Sequence, residues 1–201
     1  SEDVLAFVIA DVSGKGIPAA MFMMTAKTLL KSYAESDMSV EEIFIQANNK
    51  LCEGNDSGMF VTAWMGQLDL KTGKLVYANA GHNPPLIKHK NGDYEYLKSR
   101  PGLVLAGMEG IKYHRFEEML EPGDTIFLYT DGVTEANNLS EELYGEERLR
   151  TLLNKESASG VEEICKDVKA DVDIFSEGRE QFDDITMLCI KYTGVEIGKE
   201  K

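Results

Sequence analysis

Apolar residues along this 201-residue chain fall into short continuous runs and helix-spaced faces. Residues 4–10, Val-Leu-Ala-Phe-Val-Ile-Ala, are uninterruptedly apolar and too short for a typical helix, so they predict a buried strand. The turn Ser13-Gly14-Lys15-Gly16 follows, and Pro18 suits the first turn of a helix. Phe22, Ala26, Leu29, Leu30 and Tyr33 carry that helix to about residue 34. Ser39 with Glu42 forms a capping box for a second helix, whose apolar face is Val40, Ile43, Phe44, Ala47 and Leu51.

The middle of the chain reads as strands. Residues 60–70 and 74–80 flank the turn Lys71-Thr72-Gly73 and predict a hairpin. Asn91-Gly92 signals another, between 86–89 and 94–97. Glu121-Pro122-Gly123-Asp124 turns into a strand over 125–130. Helices are predicted near 141–154 and 159–175. The latter opens on a capping box, Ser159 with Glu162, and has apolar spacing at Val161, Ile164, Cys165, Val168 and Val172. A last strand covers 185–192, and residues 196–201 form a charged tail expected to fray. Hairpin-linked strands with helices in pairs predict an α+β fold of antiparallel sheets covered by helices. Regular strand–helix alternation is absent, which argues against a Rossmann-like sheet, and there is no internal repeat or low-complexity linker.

Hydrophobic residues make up 43% of the chain, enough for a core. The net charge is −14, from 21 basic and 35 acidic residues, which argues against non-specific binding to nucleic acid or an anionic membrane. Cys52, Cys165 and Cys189 are odd in number, form no CxxC and lie in apolar patterns, so they read as buried, reduced thiols of a cytoplasmic protein. No apolar run approaches the roughly 18 residues of a membrane span, and no signal-peptide pattern is present. The first strand begins so close to Ser1 that a longer parent chain is expected.

Three acidic signatures carry the chemistry. Asp11-Val12-Ser13-Gly14-Lys15-Gly16 closes the first apolar run, Thr130-Asp131-Gly132-Val133 closes another, and Phe182-Asp183-Asp184-Ile185-Thr186 opens a third. Asp11 alone reads equally as part of an ordinary turn and helix cap, and for Asp131 or Asp183-Asp184 alone a turn or strand cap is the commoner fate. Together they are the carboxylates that hard divalent cations prefer. Two such ions can bind a phosphate and generate a nucleophile from water, so no protein nucleophile is needed. Gly14 and Gly16 allow close backbone approach, and the following helix start offers N–H groups to an anion. A P-loop is excluded by spacing: it needs Gly where Ile9 stands and Ser or Thr where Gly16 stands. His82, in Ala80-Gly81-His82-Asn83-Pro84-Pro85, reads first as a turn-bonding residue, with general acid and metal ligand as alternatives. His89 and His114 are given no role. Met21, Met23 and Met24 on the first helix read as core filling, with adaptable packing of a moving helix as the alternative.

Taken in order, Asp11–Gly16 with the following Pro18-Ala19-Ala20, Phe60-Val61-Thr62-Ala63, Tyr77-Ala78-Asn79-Ala80-Gly81-His82-Asn83-Pro84-Pro85, Tyr129-Thr130-Asp131-Gly132-Val133-Thr134-Glu135-Ala136 and Asp183-Asp184-Ile185-Thr186 resemble the SpoIIE/RsbU-type serine phosphatases. These are a bacterial branch of the metal-dependent PPM protein phosphatases, and the resemblance covers nearly the whole chain. It implies a four-layer α-β-β-α sandwich of two antiparallel sheets flanked by helix pairs. Residues 1–193 would be the phosphatase domain, and 194–201 a tail. It implies Mn²⁺ or Mg²⁺, two ions in the intact domain, and hydrolysis of phosphoserine or phosphothreonine by metal-activated water. The implied substrate is a phosphorylated STAS-type anti-sigma-factor antagonist, in a stress or developmental programme. A sensor or receiver domain would precede it, and pairing of two copies stays open. By motif, Asp11 would bridge both metals, the Val12 carbonyl would bind one, Asp131 and Asp183 would be further ligands and Asp184 a neighbour. Ser13, Gly14, Lys15 and Gly16 are the candidate phosphate-binding turn.

Two departures from that pattern stand out. Eukaryotic relatives carry a His two residues after the first Asp, often proposed as the general acid, where this chain has Ser13. The family's upstream Gly-Gly-Asp-x-Tyr-Asp-like strand, with another metal-binding Asp, is not matched by Glu2 and Asp3. A domain lacking its first strand would bind fewer ions, and the alternative expectation is a catalytically impaired docking or regulatory module. A small-molecule phosphohydrolase is a third class. In relatives the helix pair corresponding to 18–34 and 39–53 is thought to shift and recruit a metal.

Overall fold

The computed structural model describes residues 3–97, 99–155 and 160–194. In chain order the elements are β1 (Val4–Val12), α1 (Ile17–Ala34), α2 (Val40–Cys52), β2 (Val61–Asp69), β3 (Lys74–Ala80), β4 (Leu86–Lys88), β5 (Tyr94–Tyr96), β6 (Arg115–Met119), β7 (Thr125–Tyr129), α3 (Asp131–Thr134), α4 (Glu146–Lys155), α5 (Val161–Ser176) and β8 (Met187–Lys191). They divide into two compact units. The first holds residues 1–82 and 99–119, the second 83–98 and 120–201. Each has one antiparallel four-stranded sheet, ordered β1-β2-β3-β6 in the first and β5-β4-β7-β8 in the second. The expected α+β class, with two antiparallel sheets and helices in pairs, is borne out.

In the first unit, strand alternation separates two faces. Val61, Ala63 and Met65 of β2 and Ala78 and Ala80 of β3 pack with Ala26 and Leu30 of α1 and Val40, Ile43, Phe44, Ala47 and Leu51 of α2. The opposite face carries an aromatic ladder, Phe7–Trp64–Tyr77–Phe116, with ring centroids 5.6, 5.3 and 5.5 Å apart. Gly66 makes room for it, because a Cβ there would lie 2.9 Å from the Trp64 ring. In the second unit, Phe127 and Tyr129 of β7 and Leu86 of β4 pack with Leu149 and Leu153 of α4 and Ile164, Val168 and Val172 of α5. The predicted turn before β7 is held by Asp124, which is 1% exposed. Its carboxylate accepts from the N–H groups of Lys90 and Glu121 and sits 2.7 Å from His89 Nδ1.

Where the elements depart from expectation, the backbone gives the reason. β1 runs on through Asp11 and Val12, which still pair with Thr62 and Val61. α4 starts at Glu146 rather than 141, because Glu141 and Gly145 both have positive φ, 62° and 78°, and break the helical path. β6 and α3 were not expected: three of the five residues of β6 are charged, and α3 is a single turn containing Gly132. The Ser159 capping box and the charged tail beyond residue 194 lie outside the described residues; Gly160 caps α5. The three cysteines are free but half-buried rather than buried.

The Ser39–Glu42 capping box forms as expected: the Glu42 carboxylate accepts from the Ser39 N–H at 2.9 Å and from its hydroxyl at 2.8 Å. Those bonds, the backbone one first, hold the Glu42 carboxyl below its usual pKa. A depressed folded pKa gives stability that is present above the unfolded value, about 4.3, and is lost as pH falls through the folded one. The difference in urea midpoint between the parent chain and Glu42→Gln is therefore expected to hold steady from pH 7 to about pH 5 and to shrink below about pH 4. A difference independent of pH would refute the charged cap.

Candidate metal and phosphate site

In the first unit the candidates sit at the end of β1. Asp11 stands opposite Thr62 in the β1–β2 register, so both side chains leave the same face of the sheet. Two and four residues back, the same face carries Ile9 opposite Trp64 and Phe7 opposite Gly66. A single carboxylate thus terminates an apolar face. Val12 lies on the other side, against the α1–α2 core. Ser13 ties the strand end to β2, donating its N–H to the Phe60 carbonyl at 2.9 Å and accepting the Phe60 N–H on its Oγ at 2.8 Å. Gly14 and Gly16 follow with φ of 86° and 81°, in open space and in a region that favours glycine. With exposed Lys15 between them, they lead into α1, whose start has no side-chain cap.

In the second unit β7 delivers Asp131 to the first turn of α3. Thr130 clamps the two acidic motifs of this unit together. Its hydroxyl donates to the Asp184 carbonyl at 2.9 Å and accepts from the Thr186 N–H at 3.0 Å, while its own N–H donates to the Thr186 carbonyl at 3.0 Å. Gly132 makes the approach possible, since a Cβ there would lie 2.4 Å from the Asp184 carbonyl oxygen and 3.2 Å from that of Asp183. Asp131, Asp183 and Asp184 therefore share one neighbourhood, although the first two lie 52 positions apart in sequence. Asp183 Oδ1 accepts the Asp184 N–H at 2.9 Å, and Asp131 Oδ1 is buried with no hydrogen-bond partner.

A buried carboxylate oxygen with no donor is costly unless a cation or proton meets it. That single atom and the all-oxygen donor set fit a hard divalent cation. Among the described residues, no group of three or more His, Cys, Asp or Glu side chains forms a ready metal cluster. The cysteines are poor nucleophiles: burial pushes the Cys189 thiol up to about 12, and the Cys52 and Cys165 thiols are raised by the same cause.

His82 is buried within the first unit, 4% exposed, with Nδ1 2.8 Å from the Thr62 hydroxyl. Thr62 had no role assigned from sequence. Its place in the motif Phe60-Val61-Thr62-Ala63 was the available signal.

The family described as "Stage II sporulation protein E (SpoIIE)" matches residues 1–193. Protein IcfG of Synechocystis sp. (strain ATCC 27184 / PCC 6803 / Kazusa) is 31% identical, across 94% of this chain and 34% of its own. Phosphoserine phosphatase RsbU of Bacillus subtilis (strain 168) is 29% identical, across 91% of this chain and 54% of its own. The chain thus spans between a third and just over half of these curated relatives. Among solved structures, the RsbU and RsbW domains of Rv1364c from Mycobacterium tuberculosis superpose with a TM-score of 0.80 at 26% identity, covering 96% of this chain and 54% of that one.

Gly132→Ala tests the clamp between the two motifs of the second unit. The added methyl meets backbone, so a loss of about 1–3 kcal/mol is expected in urea unfolding. Faster amide exchange at Thr186 and across 130–134 should accompany it. Unchanged stability and exchange would mean that the contact is dispensable.

Proposed function

The chain belongs to the SpoIIE family, and from that premise we propose that it is a divalent-metal-dependent protein phosphatase acting on phosphoserine or phosphothreonine of a regulatory protein. The observation that carries the reading is the orphaned, buried Asp131 Oδ1, in a neighbourhood with Asp183 and Asp184. Asp131, Asp183, Asp184, Asp11 and the Val12 carbonyl would hold Mn²⁺ or Mg²⁺, two ions in the intact domain. Bound there, the metal supplies positive charge for a phosphoryl group and a water made acidic enough to react near neutral pH.

The chain's own groups do the rest. The Ser13–Gly16 turn would receive the phosphoryl oxygens: Lys15 offers an ammonium, and Gly14 and Gly16 leave the backbone open. Ser13 can donate its hydroxyl proton to a phosphoryl oxygen while its lone pair still accepts the Phe60 N–H. Ser13 stands where eukaryotic relatives carry the His, so a proton for the departing alkoxide would come from water in the site. Raised thiol pKa values speak against a phosphocysteine route.

The partner we propose is a phosphorylated STAS-type protein, with a sensor or receiver domain elsewhere in the parent chain and residues 1–193 as the phosphatase domain. The described helices include none long and apolar enough to cross a membrane. The proposed setting is the cytoplasm, where such a partner would reside.

Asp131→Ala and Asp11→Ala are each expected to abolish metal-dependent phosphate release, a loss of at least about a hundredfold, while far-UV circular dichroism and the unfolding midpoint stay close to the parent. Either variant remaining fully active with Mn²⁺ would sink the mechanism. Binding of the phosphoprotein without phosphate release would favour a docking module. Faster turnover of nucleotides than of phosphoprotein would point to a small-molecule phosphohydrolase.

A further inference from the structure

His82 has more hydrogen-bonding capacity than its turn uses. The Asn79 side chain already holds the turn, accepting the His82 N–H at 2.7 Å and donating to the His82 carbonyl at 2.9 Å. Gly81, with φ 71°, and the Gly102 N–H donated to the Asn79 carbonyl at 2.8 Å complete it. None of these bonds involves the imidazole. The ring reaches across to β2, 20 residues back in sequence, and bonds the Thr62 hydroxyl at 2.8 Å. Thr62 is in turn the cross-strand neighbour of Asp11, on the same face of the sheet. A buried imidazole is expensive to keep unless its bond matters.

We infer that His82 is a positioning residue: through the Thr62 hydroxyl it orients the polar row that ends the aromatic face and fixes the Asp11 carboxylate for its cation. The inference rests on the phosphatase reading and goes beyond it, because it gives a role to two residues outside the ligand set. It commits to one tautomer. With the proton on Nδ1, the ring donates to Thr62 Oγ1, and the Thr62 proton is turned away from the ring, free to face the carboxylate across the strand pair. With the proton on Nε2, Thr62 would spend its only proton on the ring and offer Asp11 nothing. Thr is suited to this duty, because its β-branch restricts χ1 and holds the hydroxyl in place.

The test begins with the unmodified chain free of metal. In ¹⁵N-histidine-labelled protein, His82 Nδ1 is expected to carry the proton and to show a coupling lost in Thr62→Val. An Nε2-protonated ring would overturn the inference without any variant. Calorimetric titration with Mn²⁺ supplies the second readout. His82→Gln and Thr62→Val are expected to weaken binding by about 10–100-fold, the usual effect of removing a group that orients a metal ligand. His82→Asn keeps an amide N–H near the Nδ1 position, and Thr62→Ser keeps the hydroxyl, so both should stay near the parent value. Unfolding midpoints are recorded for all four. Affinity that follows the midpoints, with Asn and Ser no better than Gln and Val, would reduce His82 to a structural residue. Asp11→Ala is the control for the underlying reading: if it binds Mn²⁺ like the parent, the metal assignment fails whatever His82 does.

Discussion

Everything proposed for the first unit depends on the register of β1 against β2. Side chains alternate across a strand, so a slip of one residue exchanges the two faces. In the observed register Ala10 and Val12 face the α1–α2 core, while Phe7, Ile9 and Asp11 face the other way. Slipped by one, the carboxylate would enter an apolar core and the aromatic ladder would lose Phe7. The two faces therefore enforce each other. The ladder fixes the register along the strand, and the register delivers one carboxylate, with Thr62 beside it, to the strand end.

The second unit solves the same problem by close approach. No side-chain ion pair joins its two acidic motifs in the bonds described above. Backbone carbonyls, one threonine hydroxyl and the missing Cβ of Gly132 bring 183–186 against 130–132. Asp131 Oδ1 is buried and without a hydrogen-bond donor. A structural carboxylate in this chain looks different: Asp124, 1% exposed, takes two backbone N–H groups and sits beside an imidazole. The contrast between these two aspartates is what favours the proposal that Asp131, unlike the turn-organising Asp124, meets a cation.

Sequence revealed what is periodic or local. β3 is found at the predicted residues, both hairpins stand where their turns were seen, and the Ser39–Glu42 cap has both its bonds. The acidic motifs were visible because each adjoins an apolar run. What escaped has no such signature. β6 is an edge strand whose charged residues suit its exposed position and hide its period. α3 is too short for a helical repeat. The purpose of Gly132 depends on a segment some 50 residues away, and the Thr62–His82 bond on a turn 20 positions further along the chain. Sequence separation, rather than chemical subtlety, set the limit.

Charge adds a final constraint on any phosphate chemistry at this site. A phosphorylated side chain carries about −1.5 to −2 at neutral pH, and the chain itself carries −14. Beyond roughly 8 Å that repulsion is screened at physiological ionic strength, so the approach is tolerable. At contact it is not, since the proposed phosphate-binding turn, Ser13–Gly16, carries one ammonium, Lys15. Much of the remaining basic charge is spent in exposed pairs such as Lys50–Glu53, Lys166–Glu162 and Lys169–Asp173, which contribute little and are remote in purpose. The proposed site would therefore need cations to hold a phosphoryl group. The acidic surplus that argues against nucleic acid thus favours the proposed divalent metal, and under that proposal the inferred orientation of Asp11 by Thr62 bears on phosphate binding as well.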